Sequence, residues 1–289
     1  MKKLLFIINP IAGTKSKKDL PKLIKEHLSD NFTFQIIYTE RALHATEIAT
    51  DNQDDFDAII AVGGDGTINE VARGLIGNGT PMGIIPMGSG NGLARHMKLP
   101  LSLHKAIQVF NSFQIEAIDT CKVNNEHFLI TSGVGFEAQI GHRFAQQKGR
   151  GFKNYIKAVI NSIKGYKCDH YKIEIDGKTI NTQAFTLSVA NANQYGNDAF
   201  ISPLSNIQDG LMNLCIIHPF PTLMSGNITA KLLTKRIHKS RYYENILGKK
   251  ISITSKNDQT YHVDGEPLIN TKEVLQYEIL PLSLNLLVK

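Results

Sequence analysis

Short apolar runs alternate with amphipathic stretches along the first part of the chain. Runs at residues 4–9, 34–38, 58–62 and 82–85 predict strands. The run at 58–62 has no polar residue, which is typical of a parallel strand buried on both faces. Helices are predicted at residues 19–28, 42–50, 91–96 and 101–110, and another extends from the end of the third strand to residue 76. This alternation predicts a parallel sheet with helices on both faces.

The pattern changes to paired strands beyond residue 115. Strands at 117–124 and 127–131 flank Asn124-Asn125, and strands at 171–175 and 179–190 flank Asp176-Gly177, a dipeptide that favours a hairpin turn. Further strands are predicted at 211–217, 250–255, 259–263, 273–280 and 284–288, with helices at 137–147, 152–164 and 222–234. We therefore expect an α/β N-terminal domain over residues 1–115 and a mostly antiparallel β C-terminal domain over residues 116–280.

Composition and charge point to a globular protein with an anionic partner. Of 289 residues, 42% are hydrophobic and 20% charged, which is ordinary for a soluble domain with a substantial core. The net charge of +6 suits nucleotide phosphates, acidic lipids or nucleic acid. Three scattered cysteines, Cys121, Cys168 and Cys215, fit a reduced cytoplasm. No apolar run approaches the ~18 residues of a transmembrane segment, and the first run is too short for a signal peptide.

The most specific motif follows the third predicted strand. It is the string Gly63-Gly64-Asp65-Gly66-Thr67-Ile68-Asn69-Glu70, which predicts a glycine turn at the start of a helix. Its glycines allow the backbone to approach a ligand closely, and the N–H groups of the helix start favour an anion such as phosphate. The Asp65 carboxylate at this position suits metal binding, ligand orientation or proton acceptance. An ordinary strand–helix turn is the alternative, which so long a string disfavours.

A second glycine-rich loop follows the next predicted strand, with the sequence Met87-Gly88-Ser89-Gly90-Asn91-Gly92-Leu93-Ala94-Arg95. Ser89 and Asn91 offer a hydroxyl and an amide to phosphate oxygens, while Gly88 and Gly90 keep the backbone close. Parallel strands place the loops at their carboxyl ends on one edge of the sheet. The two loops together therefore predict a site for a nucleotide polyphosphate.

Asn9 and Thr39 end the first two predicted strands at the same edge. They either contact the nucleotide or cap their strands. Two common nucleotide motifs are missing, since the chain has no G-x-x-x-x-G-K-[ST] string and no G-x-G-x-x-G after its first strand. The predicted site is therefore neither a P-loop nor a Rossmann dinucleotide site.

The order of these motifs resembles the diacylglycerol kinase catalytic-domain family, the soluble bacterial lipid kinases that are similar to sphingosine and ceramide kinases. The matching segments span nearly the whole chain: residues 9–13, 63–70 and 86–91, Ser202-Pro203 with Asp209-Gly210, and Asp264-Gly265-Glu266-Pro267. Many bacterial members have a Gly-Thr-x-Asn-Asp pattern in the second loop, where this chain has Ser89 and Gly92. That loop is closer to the sphingosine and ceramide kinase form, which makes diacylglycerol itself a weaker expectation.

This resemblance implies a two-domain architecture like that of lipid kinases and NAD kinases, with the last strand, at residues ~280–289, returning to the first domain. It implies ATP across the two glycine loops with Mg²⁺, and transfer of the γ-phosphate to a diacylglycerol-like or sphingoid lipid hydroxyl. The implied catalytic residues are Glu266 as proton acceptor, Asp264 as its polar neighbour, and Asp65. Phosphoryl transfer to an alcohol needs such a base. A hairpin turn with solvated acids is the alternative for Asp264-Gly265-Glu266.

The resemblance also places a Mg²⁺ ion in the second domain. Asp209 would hold it together with the main-chain carbonyls of Asn206 and Leu211, and oxygen ligands suit this ion. Family members usually have Ala at the position of Ser205. Taken alone, Asp209-Gly210 predicts a turn before the strand at 211–217.

Two rival functions share parts of this pattern. An NAD kinase has a similar Gly-Gly-Asp-Gly turn, but its Gly-Ser-Thr-Ala-Tyr signature is not found in the chain. A catalytically silent nucleotide-binding regulator is the other rival, and the presence of both Asp65 and Glu266 counts against it. A lipid kinase without a transmembrane segment would be cytoplasmic with peripheral membrane contact.

Partner expectations follow from charge and strand edges. A basic stretch could dock on anionic lipid headgroups, although a solvated face is the favoured interpretation; it comprises Lys231, Lys235, Arg236, His238, Lys239 and Arg241. Aromatic residues are not clustered among basic ones, so no nucleic acid partner is expected. Exposed strand edges of the β domain could pair in a homodimer. The expected partner is thus a lipid substrate at the membrane surface.

Overall fold

Residues 1–13, 17–145, 162–163, 165–255 and 260–289 are described by the structure, a computed structural model. The chain divides into two compact units: unit 1, residues 1–120 with 281–289, and unit 2, residues 121–280. The helix predicted at 152–164 lies outside the described residues except for residues 162–163, which are helical. None of the helices in the described ranges is long and apolar enough to cross a bilayer.

Unit 1 is built on parallel strands, which are β1 (Lys2–Ile8), β2 (Phe32–Tyr38), β3 (Ala58–Gly63) and β4 (Met82–Pro86). Their order is β2-β1-β3-β4, and each neighbouring pair is parallel. Every residue of β3 and β4 is buried, as expected for strands covered on both faces. Beyond β4, Leu286 near the end of the chain pairs in parallel with Met82.

Five helices accompany this sheet, namely α1 (Leu20–His27), α2 (His44–Asn52), α3 (Asp65–Leu75), α4 (Gly92–His96) and α5 (Leu103–Val109). Helix α1 packs with α5, and α2 packs with α3. Leu20 and Ile24 of α1 and Ile107 of α5 join Phe6 of β1 in one core cluster. The predicted α/β character of this part of the chain is confirmed.

Unit 2 is mainly antiparallel. In chain order the elements are β5 (Gln114–Val123, which begins in unit 1), β6 (Glu126–Phe128), β7 (Thr131–Gly135), α6 (Phe136–Ala145), β8 (Asp169–Ile175), β9 (Lys178–Ala184), β10 (Thr186–Ala190), β11 (Met212–Ile217), α7 (Ser225–Leu233), β12 (Tyr243–Gly248), β13 (Lys250–Ser255), β14 (Thr260–Val263), β15 (Glu266–Ile269) and β16 (Val274–Val288, which ends in unit 1). Short 3-10 helices cover Thr222–Met224 and Ile237–Lys239.

Two layers of strands enclose the core of unit 2. One sheet has the order β12-β11-β10-β7-β14-β15, and in the other the first half of β16 is followed by β13, β8 and β9. A single hydrophobic cluster draws on both layers, with Val189 and Leu214 from the first and Ile173 and Ile253 from the second. This sandwich packing confirms the predicted antiparallel β domain.

Both predicted hairpins are present. Val123 pairs with Glu126, and Ile175 pairs with Lys178. Asp176 and Gly177 both have positive φ, 45° and 84°, which is the conformation of a type I′ turn. The Asp-Gly signal therefore predicted this turn for the right physical reason.

Four strand predictions differ from the structure. The strand predicted at 127–131 ends at Phe128 in β6, and β7, which begins at Thr131, was not predicted. The predicted strand at 179–190 is two strands, β9 and β10, because the chain passes from one sheet to the other at Phe185. The strands predicted at 273–280 and 284–288 are one strand, β16, which continues through Pro281. Strands β12 and β15 were not predicted. Both lie at sheet edges, where exposed charges and a proline such as Pro267 are tolerated and obscure the strand pattern.

Candidate active site

The parallel strands of unit 1 end at one level. Ile8 at the end of β1 pairs with Tyr38 of β2 and with Val62 of β3, and Gly63 pairs with Pro86 of β4. The loops that follow therefore leave the sheet at the same edge, as the two glycine motifs predicted. This edge holds Asn9, Thr39 and the starts of both glycine loops.

Gly64 and Gly88 bring the two loops into contact. A Cβ atom added to Gly88 would lie 2.7 Å from the Cα atom of Gly64, closer than real side chains approach. The N–H of Met87 also donates to the carbonyl of Gly63 at 2.7 Å. Gly88 is thus required for the approach of one loop to the other, whereas the sequence pattern was interpreted as an approach to a ligand.

Asp65 joins the two loops through its carboxylate. Its Oδ2 accepts the N–H of Asn91 at 2.8 Å, and its Oδ1 accepts the N–H of Gly92 at 2.7 Å. Asn91 has a left-handed backbone, with φ of 51°, and its side chain closes on Gly88 by two hydrogen bonds of 2.9 Å. Asp65 at the start of α3 therefore also satisfies the first N–H groups of α4.

Asn9 links the loop that follows β1 to helix α3. Its Nδ2 donates to Thr67 Oγ1 at 3.1 Å, and its Oδ1 accepts the N–H of Ile11 at 3.1 Å. Thr39 is buried, with its N–H bonded to the carbonyl of Ile8, and Ser89 is exposed. These residues share the edge at which nucleotide was predicted, and contact with nucleotide stays a prediction.

The last three residues of the first motif serve helix packing. Ile68 is buried, and the side chain of Asn69 accepts the Nε–H of Arg73 at 2.7 Å. Glu70 Oε2 accepts the N–H of Ala45 at 3.2 Å, which ties α3 to the start of α2. Nucleotide binding by these three side chains remains a prediction, while their observed partners lie within the helical layer.

Two cations at these loops were missed in the sequence. The Nζ of Lys17 donates to the carbonyls of Pro10 and Ala12, and partial burial lowers the pKa of Lys17 from its ordinary value. Arg95 Nε donates to the carbonyl of Gly90 at 3.1 Å. Both bring positive charge to loops suited to phosphate. The signals that could have identified them are a lysine four residues after Gly13, in the loop that follows β1, and an arginine five residues after Gly90.

The acidic motif of unit 2 forms a tight hairpin turn. Val263 of β14 pairs with Glu266 of β15, and the two residues between them, Asp264 and Gly265, have φ of 48° and 88°. This is a type I′ turn, and it places Glu266 on an exposed surface. The segment is therefore a hairpin turn, as the alternative interpretation predicted. The turn geometry does not decide the role of Glu266.

Asp264 is held by the backbone of a neighbouring segment. Its carboxylate accepts the N–H groups of Leu129, Ile130 and Thr131 at 2.9, 2.8 and 3.0 Å. The N–H of Asp264 donates in turn to the carbonyl of Thr131. Three charge-assisted hydrogen bonds orient the turn, so the carboxylate of Asp264 is not simply solvated.

A buried polar network beside this turn was also missed. The Glu137 carboxylate of α6 accepts hydrogen bonds from Ser188 Oγ at 2.8 and 2.7 Å and from the hydroxyl of Tyr195, and lies 3.0 Å from His262 Nε2. Burial and the nearby Glu137 charge raise the pKa of Tyr195, so its phenol stays protonated and donates. The other ring nitrogen of His262 accepts the N–H of Gly265 at 3.4 Å. Glu137 is therefore connected to the acidic turn through His262.

The predicted magnesium ligands lie in the loop before β11. Asp209 is exposed, and its Oδ1 accepts the N–H of Leu211 at 3.0 Å, while Asn206 Oδ1 accepts the N–H of Gln208. Ser205 Oγ in the same loop is buried, with no hydrogen-bond partner among the described residues. The described ranges contain no group of three or more His, Cys, Asp or Glu side chains that could hold a metal ion. A site with one carboxylate and carbonyl oxygens fits Mg²⁺ chemically, and metal binding stays a prediction.

Two family models match successive parts of the chain. The model described as "Diacylglycerol kinase catalytic domain" matches residues 3–123, and the one described as "YegS C-terminal NAD kinase beta sandwich-like domain" matches residues 131–288. This chain belongs to the diacylglycerol kinase catalytic-domain family. The first match contains both glycine loops, and the second contains the turn at Asp264 and Gly265. The family predicted from the motifs is confirmed.

Two relatives of this diacylglycerol kinase family member carry lipid kinase names. A diacylglycerol kinase of Staphylococcus saprophyticus is 27% identical over 277 residues, or 92% of this chain and 89% of the relative. A Yersinia enterocolitica protein named "Probable lipid kinase YegS-like" is 30% identical over 225 residues, or 73% of each chain. The crystal structure of a diacylglycerol kinase from Bacillus anthracis aligns with 100% of this chain and 97% of that one, at a TM-score of 0.74 and 22% identity, and so shares its fold. The family is therefore one of lipid kinases.

Proposed function

We propose that this protein is an ATP-dependent lipid kinase that phosphorylates a hydroxyl of a diacylglycerol-like or sphingoid lipid. The observation that carries the proposal is the junction of the two glycine loops by Asp65 at the carboxyl edge of a parallel sheet. Membership of a lipid kinase family supports the same reaction class.

Unit 1 binds the nucleotide in this proposal. The backbone N–H groups of the two loops face the phosphates, and Lys17 and Arg95 add positive charge beside them. Because both carboxylate oxygens of Asp65 accept backbone N–H groups, we assign Asp65 to positioning of the second loop. Mg²⁺ that arrives with ATP would neutralise charge that develops on the transferred phosphoryl group.

Unit 2 supplies the base. Glu266 is exposed at the start of β15 and takes the proton from the lipid hydroxyl as the hydroxyl oxygen attacks the γ-phosphorus. The bond between the γ-phosphorus and its bridging oxygen breaks, and ADP is the leaving group. Asp264 holds the turn against the backbone of residues 129–131, which orients Glu266. The acceptor is a lipid alcohol. Because Ser89 and Gly92 depart from the Gly-Thr-x-Asn-Asp pattern of many bacterial members, we favour sphingoid or ceramide-like compounds as the acceptor.

The test is transfer of labelled γ-phosphate from ATP, with Mg²⁺, to mixed micelles of diacylglycerol, ceramide or a sphingoid base. Glu266→Gln should lower the turnover number by about 10²–10⁴-fold, the range for loss of a general base, while ATP affinity stays the same. Glu273→Gln changes another exposed glutamate of unit 2 and should retain full activity. Equal turnover by Glu266→Gln and the wild type would refute the role of Glu266.

NAD kinase is the second candidate function, because the second domain matches a family model described as NAD kinase beta sandwich-like. The same assay therefore includes NAD as an acceptor. Labelled NADP with no labelled lipid would replace the proposed function by this one. ATP binding without transfer to any acceptor would favour the silent regulator.

A further inference from the structure

The segment from residue 222 to 241 carries an uncompensated positive charge. Residues 210–243 contain no Asp or Glu, and within them lie five lysine and arginine residues: Lys231, Lys235, Arg236, Lys239 and Arg241. We call residues 222–241 the basic corner. A run of this length with charges of one sign departs from the mixed charge of an ordinary solvated surface.

The fold gathers these charges at one place. Helix α7 contacts the 3-10 helices on both sides of it, and Ile228 and Ile237 are buried beneath. The Nζ of Lys231 donates to the carbonyl of Lys239 at 3.2 Å, and the N–H of Arg236 donates to the carbonyl of Lys231 at 2.8 Å. Backbone and side chain therefore hold the cations close together despite their mutual repulsion.

Carboxylates do not neutralise this cluster. Among the residues that the structure describes, none of the five cations forms an ion pair with Asp or Glu. Lys235 instead lies over the ring of Phe200 at 4.4 Å, and Arg241 lies over that of Tyr242 at 4.8 Å. By contrast, Lys172 elsewhere in unit 2 pairs with Glu174 at 2.7 Å. The charge of the basic corner is thus directed outward.

An exposed apolar side chain lies at the start of the same corner. Leu223, in the 3-10 helix before α7, is 94% exposed, and Leu233 at the end of α7 is 42% exposed. Cations together with exposed leucines are typical of surfaces that bind bilayers, because lysine and arginine attract anionic headgroups while apolar side chains enter the interface. A single-stranded nucleic acid would instead favour exposed aromatic rings for stacking.

We propose that the basic corner is a docking surface for membranes that contain anionic lipid. Leu223 enters the interface, and Lys235, Arg236, Lys239 and Arg241 contact the headgroups. The inference deepens the proposed function, since a lipid kinase must reach its substrate in a bilayer. Docking itself needs neither ATP nor turnover, so the docking proposal and the kinase proposal can be refuted separately.

The test is co-sedimentation of the full chain, without ATP, with phosphatidylcholine vesicles that contain about one third phosphatidylglycerol. The double variant Lys235→Glu/Arg236→Glu should bind these vesicles at least about 30-fold more weakly, given the usual contribution of each basic residue near an anionic surface. Leu223→Gln should bind several-fold more weakly and keep the salt dependence of the wild type.

The matched control is Lys25→Glu/Lys105→Glu, which makes the same charge change on exposed lysines of α1 and α5 in unit 1. This variant should bind like the wild type. Equal binding by the Lys235/Arg236 variant, or equal binding of the wild type to pure phosphatidylcholine, would overturn the proposal. Tighter binding to single-stranded RNA than to vesicles would also overturn it, in favour of a nucleic acid partner.

Detergent micelles distinguish this surface from the kinase function. Lipid phosphorylation in neutral micelles should be normal in the Lys235→Glu/Arg236→Glu variant, because micellar substrate does not require anionic docking. Vesicle binding by a wild type that phosphorylates no lipid would leave the docking surface valid and refute the kinase proposal.

Discussion

The carboxylates of Asp65 and Asp264 accept hydrogen bonds from backbone N–H groups. Asp65 accepts two such groups from the second glycine loop, and Asp264 accepts three from residues 129–131. A carboxylate in this arrangement orients a loop strongly, because hydrogen bonds to a charged acceptor are stronger than neutral ones. At the residue scale, then, these two acids shape the loops, and Glu266 is the exposed acid to which we assign the proposed proton transfer.

Asp65→Asn tests the positioning role. The amide has one oxygen where the carboxylate has two, and its NH₂ group would face a backbone N–H. We expect a loss of about 1–3 kcal/mol in the free energy of unfolding and roughly tenfold weaker ATP binding. Calorimetric titration with a non-hydrolysable ATP analogue and urea denaturation measure both. Asp51→Asn, at an exposed site on α2, should change neither; unchanged ATP affinity in Asp65→Asn would refute the role.

Glu137→Ala tests the buried network of unit 2. The substitution leaves Ser188, Tyr195 and His262 without their shared acceptor, and buried polar groups that lose a partner are costly. We expect the free energy of unfolding to fall by about 3–5 kcal/mol. Urea denaturation should show this fall, whereas Glu273→Ala at an exposed position should stay within about 0.5 kcal/mol of the wild type. If the free energy of unfolding of Glu137→Ala fell by only about 0.5 kcal/mol, the network would contribute little to stability.

At the scale of elements, strand β16 contributes residues to both units. Residues 274–278 pair with β13, and Leu286 pairs with β4. Leu284, Leu286 and Leu287 are 1%, 0% and 1% exposed, so the end of the chain is part of the core of unit 1. This explains why unit 1 consists of two separate parts of the sequence.

Truncation tests the contribution of this strand. A chain that ends at residue 280 loses the buried leucines, and each such loss costs about 2–5 kcal/mol, comparable in sum to the whole stability of a domain. We expect unit 1 to unfold in this variant, with loss of helical circular dichroism and of ATP binding. Removal of Lys289 alone, which is exposed, should have no effect. A truncated chain with native helix content and native ATP affinity would show that the end of β16 is not needed for the core of unit 1.

Local patterns predicted some elements and missed others for identifiable reasons. The strand at 58–62 and the hairpin at Asp176-Gly177 have signals within a few residues, namely continuous burial and a dipeptide that tolerates positive φ. The passage between sheets at Phe185 has no such signal, because β9 and β10 are both compatible with one long strand. Strand β15 contains Pro267, which only its edge position makes acceptable.

At the scale of the whole molecule, the two family matches divide the functions. Residues 3–123 carry the glycine loops, and residues 131–288 carry the acidic turn and the basic corner. The proposed reaction assigns nucleotide binding to unit 1 and the base to unit 2. A homodimer through the edge strands of the β domain stays a prediction. In the described part of the chain, β9, β12 and β15 each have only one neighbour within their sheets, so each has an edge that could pair.

The sequence by itself determined the family, the two-domain plan and the positions of the glycine loops, because buried strands and glycine turns leave short local patterns. Only the tertiary structure decided what the acids bind. The N–H groups accepted by Asp65 lie 26 and 27 residues away, and those accepted by Asp264 lie 133 to 135 residues away. The same holds for Glu137, which meets His262 across 125 residues. Contacts at such separations depend on how the strands and helices pack, which local residue patterns do not encode.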